Sequence, residues 1–238
     1  MTQLYRRDMI LRGFDDEVRR HVAEEAGRKG VAIHCNADVS RIRRGGGHLT
    51  VTCTDGSEIE ADIVLYATGR NPNTHELGLH EAGVHLGANG EVVVDEWSQS
   101  NVPSIYGVGD VTDRLALTPV AIREGHAFAD TEFGGNPRTA DHDCVPSAIF
   151  TQPEFGTVGM TEEEAVEKHR IEVYSANFRP MHNVMVQRSD RVLFKLVIDA
   201  DTRRVLGCHI VAPDAGEMIQ LAGIAVKAGL TKEDFDRT

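Results

Sequence analysis

The order of predicted strands and helices changes near residue 140. The chain is therefore predicted to contain two different architectures, one after the other. At the start, a strand-like segment leads to an amphipathic helix that follows Asp15, has apolar residues at helical spacing from Val18 to Ala26, and ends before a capping Gly30. Residues 31–36 then predict a second strand. A strand, a helix and a strand in this order form the repeating unit of a parallel sheet. The first part of the chain is therefore predicted to be α/β.

Residues 49–62 alternate apolar and polar side chains around an Asp-Gly turn, which predicts an antiparallel hairpin. The apolar run 63–67 predicts a buried strand that delivers Gly69 to a ligand crevice. Beyond it the pattern predicts a loop over 71–90, strands over 91–95 and 105–108, and a helix over 119–133.

The last hundred residues instead predict an α+β domain, in which an antiparallel sheet has helices on one side. The predicted strands are residues 147–151, 171–178, 192–198 and 205–211, with a hairpin turn over 199–203. A capping box at Thr161 predicts a helix over 162–169, and an apolar flank predicts another over 215–228.

The charge of the chain argues against two classes of partner. It has 25 basic and 37 acidic residues, a net charge of −12, so neither a nucleic-acid surface nor an anionic membrane surface is expected. No apolar run approaches the roughly 18 residues of a membrane span, and the first residues have no signal-peptide core. We therefore expect a cytoplasmic protein.

The residues that usually perform catalysis form no recognisable set in this sequence. Cys35, Cys53, Cys144 and Cys208 form no CxxC pair, so we expect reduced thiols. There is no metal-ligand cluster, no Ser/His/Asp or Cys/His set at a recognisable spacing, and no GxGxxG before the first strand. The sequence thus predicts no metal and no catalytic residue within the chain.

Two arginines near the start of the chain are candidates for phosphate binding. If Arg6 follows a strand and Arg12 lies in the next loop, their guanidinium groups can converge on a phosphate monoester. In a nucleotide-binding sheet this position selects a 2′-phosphate over a bare ribose hydroxyl. The alternative, which spacing alone leaves open, is a solvated basic loop.

Two further strand ends have residues suited to a dinucleotide. Gly69 would let a nucleotide approach the backbone closely. Asp110 would accept hydrogen bonds from sugar-like hydroxyls, and the helix opening at Pro119 would point N–H donors at an electron-rich ligand. Alternatively, Asp110 is a turn or capping residue.

Taken together, these motifs resemble the glutathione reductase branch of the pyridine nucleotide-disulfide oxidoreductase family. The order and spacing match over essentially all 238 residues, in the segments YRRDMILRGFD, LYATGRNPNT, IYGVGD, LTPVAI, VPSAIFTQPEFGTVGMTEEEA, FRPM and GEMIQLAGIAVKAGLTKEDFD. The resemblance implies a partial NADPH-binding domain over 1–72, the returning segment of an FAD-binding domain over 73–140, and an interface, or dimerisation, domain over 141–238 that lacks its C-terminal end.

The resemblance also implies a role for each matching residue. NADPH would be contacted by Arg6 and Arg12 at its 2′-phosphate, and by Gly69, Ala116 and Ala148. FAD would be contacted by Asp110 at its ribityl chain and by Thr118 at its isoalloxazine ring. Glutathione disulfide would lie near Ile122 and His126, although some members have arginine where this chain has His126.

The family performs its covalent steps with a CxxxxC cysteine pair and a histidine acid/base, and we expect both to lie outside this chain. The resemblance implies a homodimer in which hydride passes from NADPH to FAD, then to an enzyme disulfide whose thiolate attacks glutathione disulfide. We expect the chain alone to be inactive. The alternatives are another member of the family, of the lipoamide dehydrogenase or mercuric reductase type, and a non-enzymatic dimerisation module.

Overall fold

The computed structural model describes all 238 residues and divides them into two compact units. The first unit contains residues 1–65 and 143–238, and the second contains residues 66–142. The first unit therefore combines the two ends of the chain, whereas the second is one continuous segment. The predicted division into three domains, at residues 72 and 140, stays a prediction.

The first unit begins with a parallel β-α-β element. Strands β1 (Thr2–Tyr5) and β2 (Ala32–Cys35) pair in parallel, and helix α1 (Asp16–Arg28) connects them. The Asp15 carboxylate accepts the N–H groups of the first turn of α1, and Gly30 has a φ of +85° that lets the chain turn after the helix. The predicted strand, helix and strand are confirmed.

An antiparallel sheet of three strands follows: β3 (Val39–Gly45), β4 (His48–Cys53) and β5 (Glu58–Ala61). The predicted hairpin is β4 and β5, and its turn is stabilised by the Asp55 carboxylate, which accepts the Ser57 N–H at 2.9 Å. Strand β3 was not predicted, because its sequence VSRIRRG contains three arginines and only two apolar residues.

The rest of the first unit is a five-stranded antiparallel sheet with the order β6-β7-β10-β9-β8. Its strands are β6 (Ser147–Ile149), β7 (Glu154–Gly159), β8 (Ile171–Phe178), β9 (Val192–Asp199) and β10 (Val205–Ala212). Its helices are α3 (Glu162–Val166), α4 (Met181–Met185), α5 (Ala215–Lys227) and α6 (Lys232–Asp236). The predicted strands and the capping box at Thr161 are confirmed.

Strand β7 was not predicted, and its glycines explain why. A β-carbon at Gly156 would lie 2.6 Å from the carbonyl oxygen of Ala215, so the strand needs glycine where α5 crosses it. Glycine is unfavourable in an isolated strand, and only the packing against the helix accounts for it here.

Helices pack on both faces of the five-stranded sheet, although its edge strand β8 is mostly exposed. One face packs against α5 around Ile198, Ile210 and Ile219. The other packs against α1, where Val18 and Val22 meet a cluster that includes Phe155, Leu193 and Val211. A helix from the start of the chain therefore completes the core of the C-terminal sheet.

The second unit contains a 3-10 turn, Gly109–Thr112, and helix α2 (Thr118–Glu132), which confirms the predicted helix. The strands predicted over 91–95 and 105–108 are wrong. Only single bridges form there, between Leu86 and Val92 and between Gln99 and Tyr106. The neighbouring backbone turns away after one bridge, as at Ser98, whose φ is +65°.

The buried strand predicted over 63–67 is also wrong. Ile63 and Leu65 are 83% and 86% exposed, and no strand pairs with this segment. A buried parallel strand needs neighbours in its sheet. The parallel sheet of this chain consists of β1 and β2, which pair with each other.

None of the helices has the length and the apolar composition needed to span a membrane.

Candidate nucleotide-binding site

The structure places Arg6 directly after β1 and Arg12 in the loop that leads to α1. Both side chains are exposed, and neither guanidinium group has a hydrogen bond or an ion pair with the protein. Each is a permanent cation with a planar set of donors. An anion that reaches either arginine can therefore bind to its guanidinium group without breaking an existing ion pair.

The backbone of this loop is fixed although Arg12 is exposed. The Arg19 guanidinium donates to the carbonyl oxygens of Met9 and Ile10, both at 2.8 Å. Leu11 and Phe14 pack against the apolar cluster under α1, and the Phe14 ring meets the Phe155 ring edge-on at 5.3 Å. The residues on either side of Arg12 are thus anchored.

A buried lysine lies next to this loop, and the sequence did not predict its role. The Lys195 Nζ, on β9, lies 2.9 Å from Asp15, 2.6 Å from Glu162 and 3.2 Å from Glu17. Burial alone would lower the Lys195 pKa, but hydrogen bonds to Glu162 and Asp15 raise it above its ordinary value. The available signal was a single lysine among the apolar residues of VLFKLVI.

In the second unit, Gly109 determines where Asp110 lies. Gly109 has a φ of +69°, and a β-carbon there would lie 2.8 Å from the Ala121 Cβ on α2. Only glycine permits this approach of the turn to the helix. The Asp110 carboxylate next to it is exposed and has no hydrogen-bond partner in the protein.

One face of α2 presents three of the predicted site residues. Thr118, Ile122 and His126 follow one another at intervals of four residues, and all three are exposed. This spacing aligns side chains along one face of a helix. The opposite face is buried and includes Val120 and Glu124. Ala116, just before the helix, is also exposed.

Glu124 is a second residue that sequence reasoning missed. Its carboxylate is 1% exposed and accepts the Gly109 N–H at 2.6 Å. The same carboxylate lies 3.0 Å from Arg114 and 2.7 Å from His142. Its place on the apolar face of α2 was the signal, because a charged residue there requires buried partners.

The remaining predicted contacts, Gly69 and Ala148, are backbone positions. Gly69 has a φ of +117°, a conformation that favours glycine, and it is exposed. Ala148 lies in β6, paired with Gly156 and close to Gly216 of α5. Arg6, Arg12 and Ala148 lie in the first unit, and the other predicted site residues lie in the second.

The thiols of the chain are all unpaired. Burial raises the pKa of Cys208 to about 12, which leaves it protonated and unreactive near neutral pH. No group of three or more histidine, cysteine, aspartate or glutamate residues could hold a metal ion.

The donors and acceptors fit the two expected cofactors. The unpaired guanidinium groups of Arg6 and Arg12 suit a phosphate monoester, as in the 2′-phosphate of NADPH. The unpaired Asp110 carboxylate and the exposed Thr118 hydroxyl suit the hydroxyl groups and polar ring edge of a flavin nucleotide.

Comparison with known proteins shows the family. The family model of the pyridine nucleotide-disulphide oxidoreductases matches residues 1–125. The family model of their dimerisation domain matches residues 145–238. The chain belongs to the pyridine nucleotide-disulphide oxidoreductase family. The resemblance and the predicted fold class, α/β followed by an antiparallel dimerisation domain, are thereby confirmed.

Individual relatives agree with this assignment. The chain is 47% identical over 239 residues to glutathione reductase of Burkholderia cepacia, a match over 100% of this chain and 53% of that protein. It is 41% identical to trypanothione reductase of Leishmania donovani, over 98% of this chain and 48% of that protein. The chain spans about half the length of the curated relatives that it matches.

A solved structure is also similar to this one. The HOCl-induced flavoprotein disulfide reductase RclA from Escherichia coli has a TM-score of 0.89 and 29% identity. The match covers 97% of this chain and 53% of that one.

Proposed function

We propose that this chain is part of an NADPH- and FAD-dependent enzyme that reduces glutathione disulfide. The observation that supports this most is the exposed, unpaired pair Arg6 and Arg12 beside a parallel strand end. The 47% identity to a glutathione reductase over the whole chain supports the same reaction.

The residues of the chain would bind and orient the cofactors. Arg6 and Arg12 hold the 2′-phosphate of NADPH, while the backbone at Gly69, Ala116 and Ala148 lies along the nicotinamide nucleotide. Asp110 accepts hydrogen bonds from the ribityl chain of FAD, and Thr118 borders its isoalloxazine ring. When bound, the two cofactors supply hydride transfer from reduced nicotinamide to flavin.

The substrate would lie against the exposed face of α2. Ile122 is 53% exposed and His126 lies one turn further along, so an apolar and a polar group are available to glutathione disulfide. Arg6 favours NADPH over NADH, and this argues against the lipoamide dehydrogenase type, which resembles this chain but has an acidic residue at that strand end. Mercuric reductase remains a second candidate within the family.

The dimerisation domain would pair with a second copy of the same protein. The C-terminal residues match the dimerisation domain of the family, and Leu221 and Ile224 on α5 are 71% and 64% exposed. Exposed apolar side chains on one helix are typical of an association surface. A cytoplasmic location, where thiols stay reduced, is supported by the four unpaired cysteines.

The proposal is tested by exchanging this chain for the matching half of Burkholderia cepacia glutathione reductase. NADPH oxidation is followed on addition of glutathione disulfide, trypanothione disulfide or lipoamide. We expect the hybrid to reduce glutathione disulfide efficiently with NADPH as the electron donor and poorly with NADH. A folded dimeric hybrid that binds FAD but reduces none of the substrates supports the non-enzymatic alternative, and equal use of NADH contradicts the assignment of Arg6 and Arg12.

A further inference from the structure

Lys195 is a charged residue inside an apolar sheet. It lies in the middle of β9, is 1% exposed, and its side chain points to the face on which α1 packs. A buried ammonium group is costly unless ion pairs and hydrogen bonds compensate it. All the carboxylates that compensate Lys195 lie at the start of α1 and α3, on Asp15, Glu17 and Glu162.

Asp15 connects this lysine to the start of α1. One of its carboxylate oxygens accepts the Glu17 N–H at 3.1 Å and the Lys195 ammonium at 2.9 Å. The other accepts the Glu162 N–H at 3.1 Å. Asp15 is fully buried; burial alone would raise its pKa, but the hydrogen bonds from Lys195 and from the Glu162 N–H lower it. A single carboxylate therefore caps α1 and fixes it to the C-terminal sheet.

The loop with Arg12 ends at Asp15, three residues further along the chain. Phe14, between them, packs on Phe155 of the C-terminal sheet. The C-terminal sheet thus contacts this loop through an aromatic pair and through a buried ion pair, and neither contact occupies Arg12 itself.

We propose that Lys195 is a positioning residue for the nucleotide 2′-phosphate, because it holds Asp15 and so fixes the loop in which Arg12 lies. This inference rests on the proposed function of Arg6 and Arg12. A loop fixed before binding loses less conformational freedom when the ligand arrives, so a second domain contributes to the choice of NADPH over NADH.

The test compares the affinities of the full chain for 2′,5′-ADP and for 5′-AMP by calorimetric titration. Lys195→Met keeps an unbranched side chain that is one atom shorter and removes its charge. We expect it to weaken 2′,5′-ADP binding about tenfold while 5′-AMP binding changes less than about twofold. The ratio of the two affinities is the readout, since a general loss of folded protein would lower both affinities together.

Val197→Ala is the matched control, because Val197 is fully buried on the same strand and has no polar contact with Asp15. It should lower the unfolding temperature and leave the affinity ratio unchanged. Asp15→Asn is the second variant: the amide oxygen still caps α1, but the ion pair with Lys195 and the hydrogen bond from the Glu162 N–H are lost. If Lys195→Met does not fold, Asp15→Asn should show the same fall in the ratio.

The outcomes distinguish a failure of the proposed 2′-phosphate site from a failure of the role of Lys195. A wild-type chain that binds 2′,5′-ADP no better than 5′-AMP overturns the proposed function and this inference with it. A wild-type preference that both Lys195→Met and Asp15→Asn preserve overturns the role of Lys195 alone.

Discussion

Glu124 on α2 accepts a hydrogen bond of 2.6 Å from the backbone N–H of Gly109, and this bond joins the helix to the turn that presents Asp110. Both partners are buried, Arg114 compensates the charge of the carboxylate, and the His142 ring lies 2.7 Å from it. The proposed flavin contacts Asp110 and Thr118 are exposed, but the groups that position them are not. Precise placement thus depends on residues that would not touch the cofactor.

Glu124→Met should strongly destabilise the second unit. It leaves the Gly109 N–H without its acceptor and the Arg114 guanidinium without its carboxylate partner, and removing one partner of a buried ion pair costs about 3–5 kcal/mol. Urea unfolding followed by Trp97 fluorescence measures the loss, because Trp97 is the single tryptophan and lies in this unit. The control is Glu96→Met, the same change at an exposed side chain; equal losses in both variants would contradict this account.

Gly109→Ala should destabilise the same unit more than Gly135→Ala. Both glycines have positive φ, +69° and +64°, so each alanine meets a similar backbone strain of about 1–2 kcal/mol. Only at Gly109 would the new β-carbon also lie 2.8 Å from Ala121, which adds an overpacking cost of about 1–3 kcal/mol. The difference between the unfolding free energies of the two variants measures the cost of the contact with Ala121. Equal unfolding free energies would show that the turn does not depend on close approach to α2.

Stability should fall in acid partly because of Asp199. Hydrogen bonds from Thr202 first, and then from His169 and the Asp201 N–H, lower the Asp199 pKa from 3.8 to about 2. A carboxyl group whose folded-state pKa is lowered stabilises the protein above its unfolded pKa, and this contribution disappears as the pH falls through the folded value. Stability should thus decline between about pH 4 and about pH 2.

The measurement is urea unfolding of the first unit, followed by circular dichroism across this pH range. Asp199→Asn should unfold more easily than the wild type at about pH 5 and should lose less stability on acidification. The control is Asp8→Asn, an exposed aspartate without a partner, which should keep the wild-type slope. An unchanged slope in Asp199→Asn would exclude this residue as a source of acid sensitivity.

The purified chain should sediment as a dimer whose interface includes α5. Leu221→Glu and Ile224→Glu place a charge at side chains that are 71% and 64% exposed, so each should shift the population towards monomer without unfolding it. Gln3→Glu, at an exposed polar side chain on β1 rather than on α5, adds the same charge as a control and should remain dimeric. A wild-type chain that stays monomeric at high concentration would contradict the proposed surface.

Local signals predicted much of the fold. Asp15 and Gly30 set the limits of α1, and Thr161 with Glu164 forms the predicted capping box. The strands that were missed or wrongly predicted depend on contacts between residues distant in sequence. Strand β7 contains Gly156 because α5 crosses it, and the apolar run 63–67 has no strand beside it. Neither the crossing of α5 over β7 nor the lack of a neighbouring strand can be predicted from the local sequence.

The same distinction between local and distant contacts applies to the residues of the candidate site. The exposed arginines and the glycine turns were identified from sequence and from family resemblance, because they belong to short motifs. Lys195 and Glu124 were not, because their partners lie up to 180 residues away and only the folded chain brings them together. A buried charge in an apolar pattern indicates that partners exist, but it does not say which ones.

Calorimetric titration of the full chain with 2′,5′-ADP and with 5′-AMP tests the proposed phosphate contacts of Arg6 and Arg12. We expect a clear preference for 2′,5′-ADP. Arg6→Ala or Arg12→Ala should reduce it about 10- to 100-fold, as expected for a lost charge-assisted hydrogen bond of about 1.5–3 kcal/mol. Arg44→Ala, at another exposed and unpaired arginine, should leave the preference intact. Equal affinity for the two nucleotides in the wild-type chain would contradict the account.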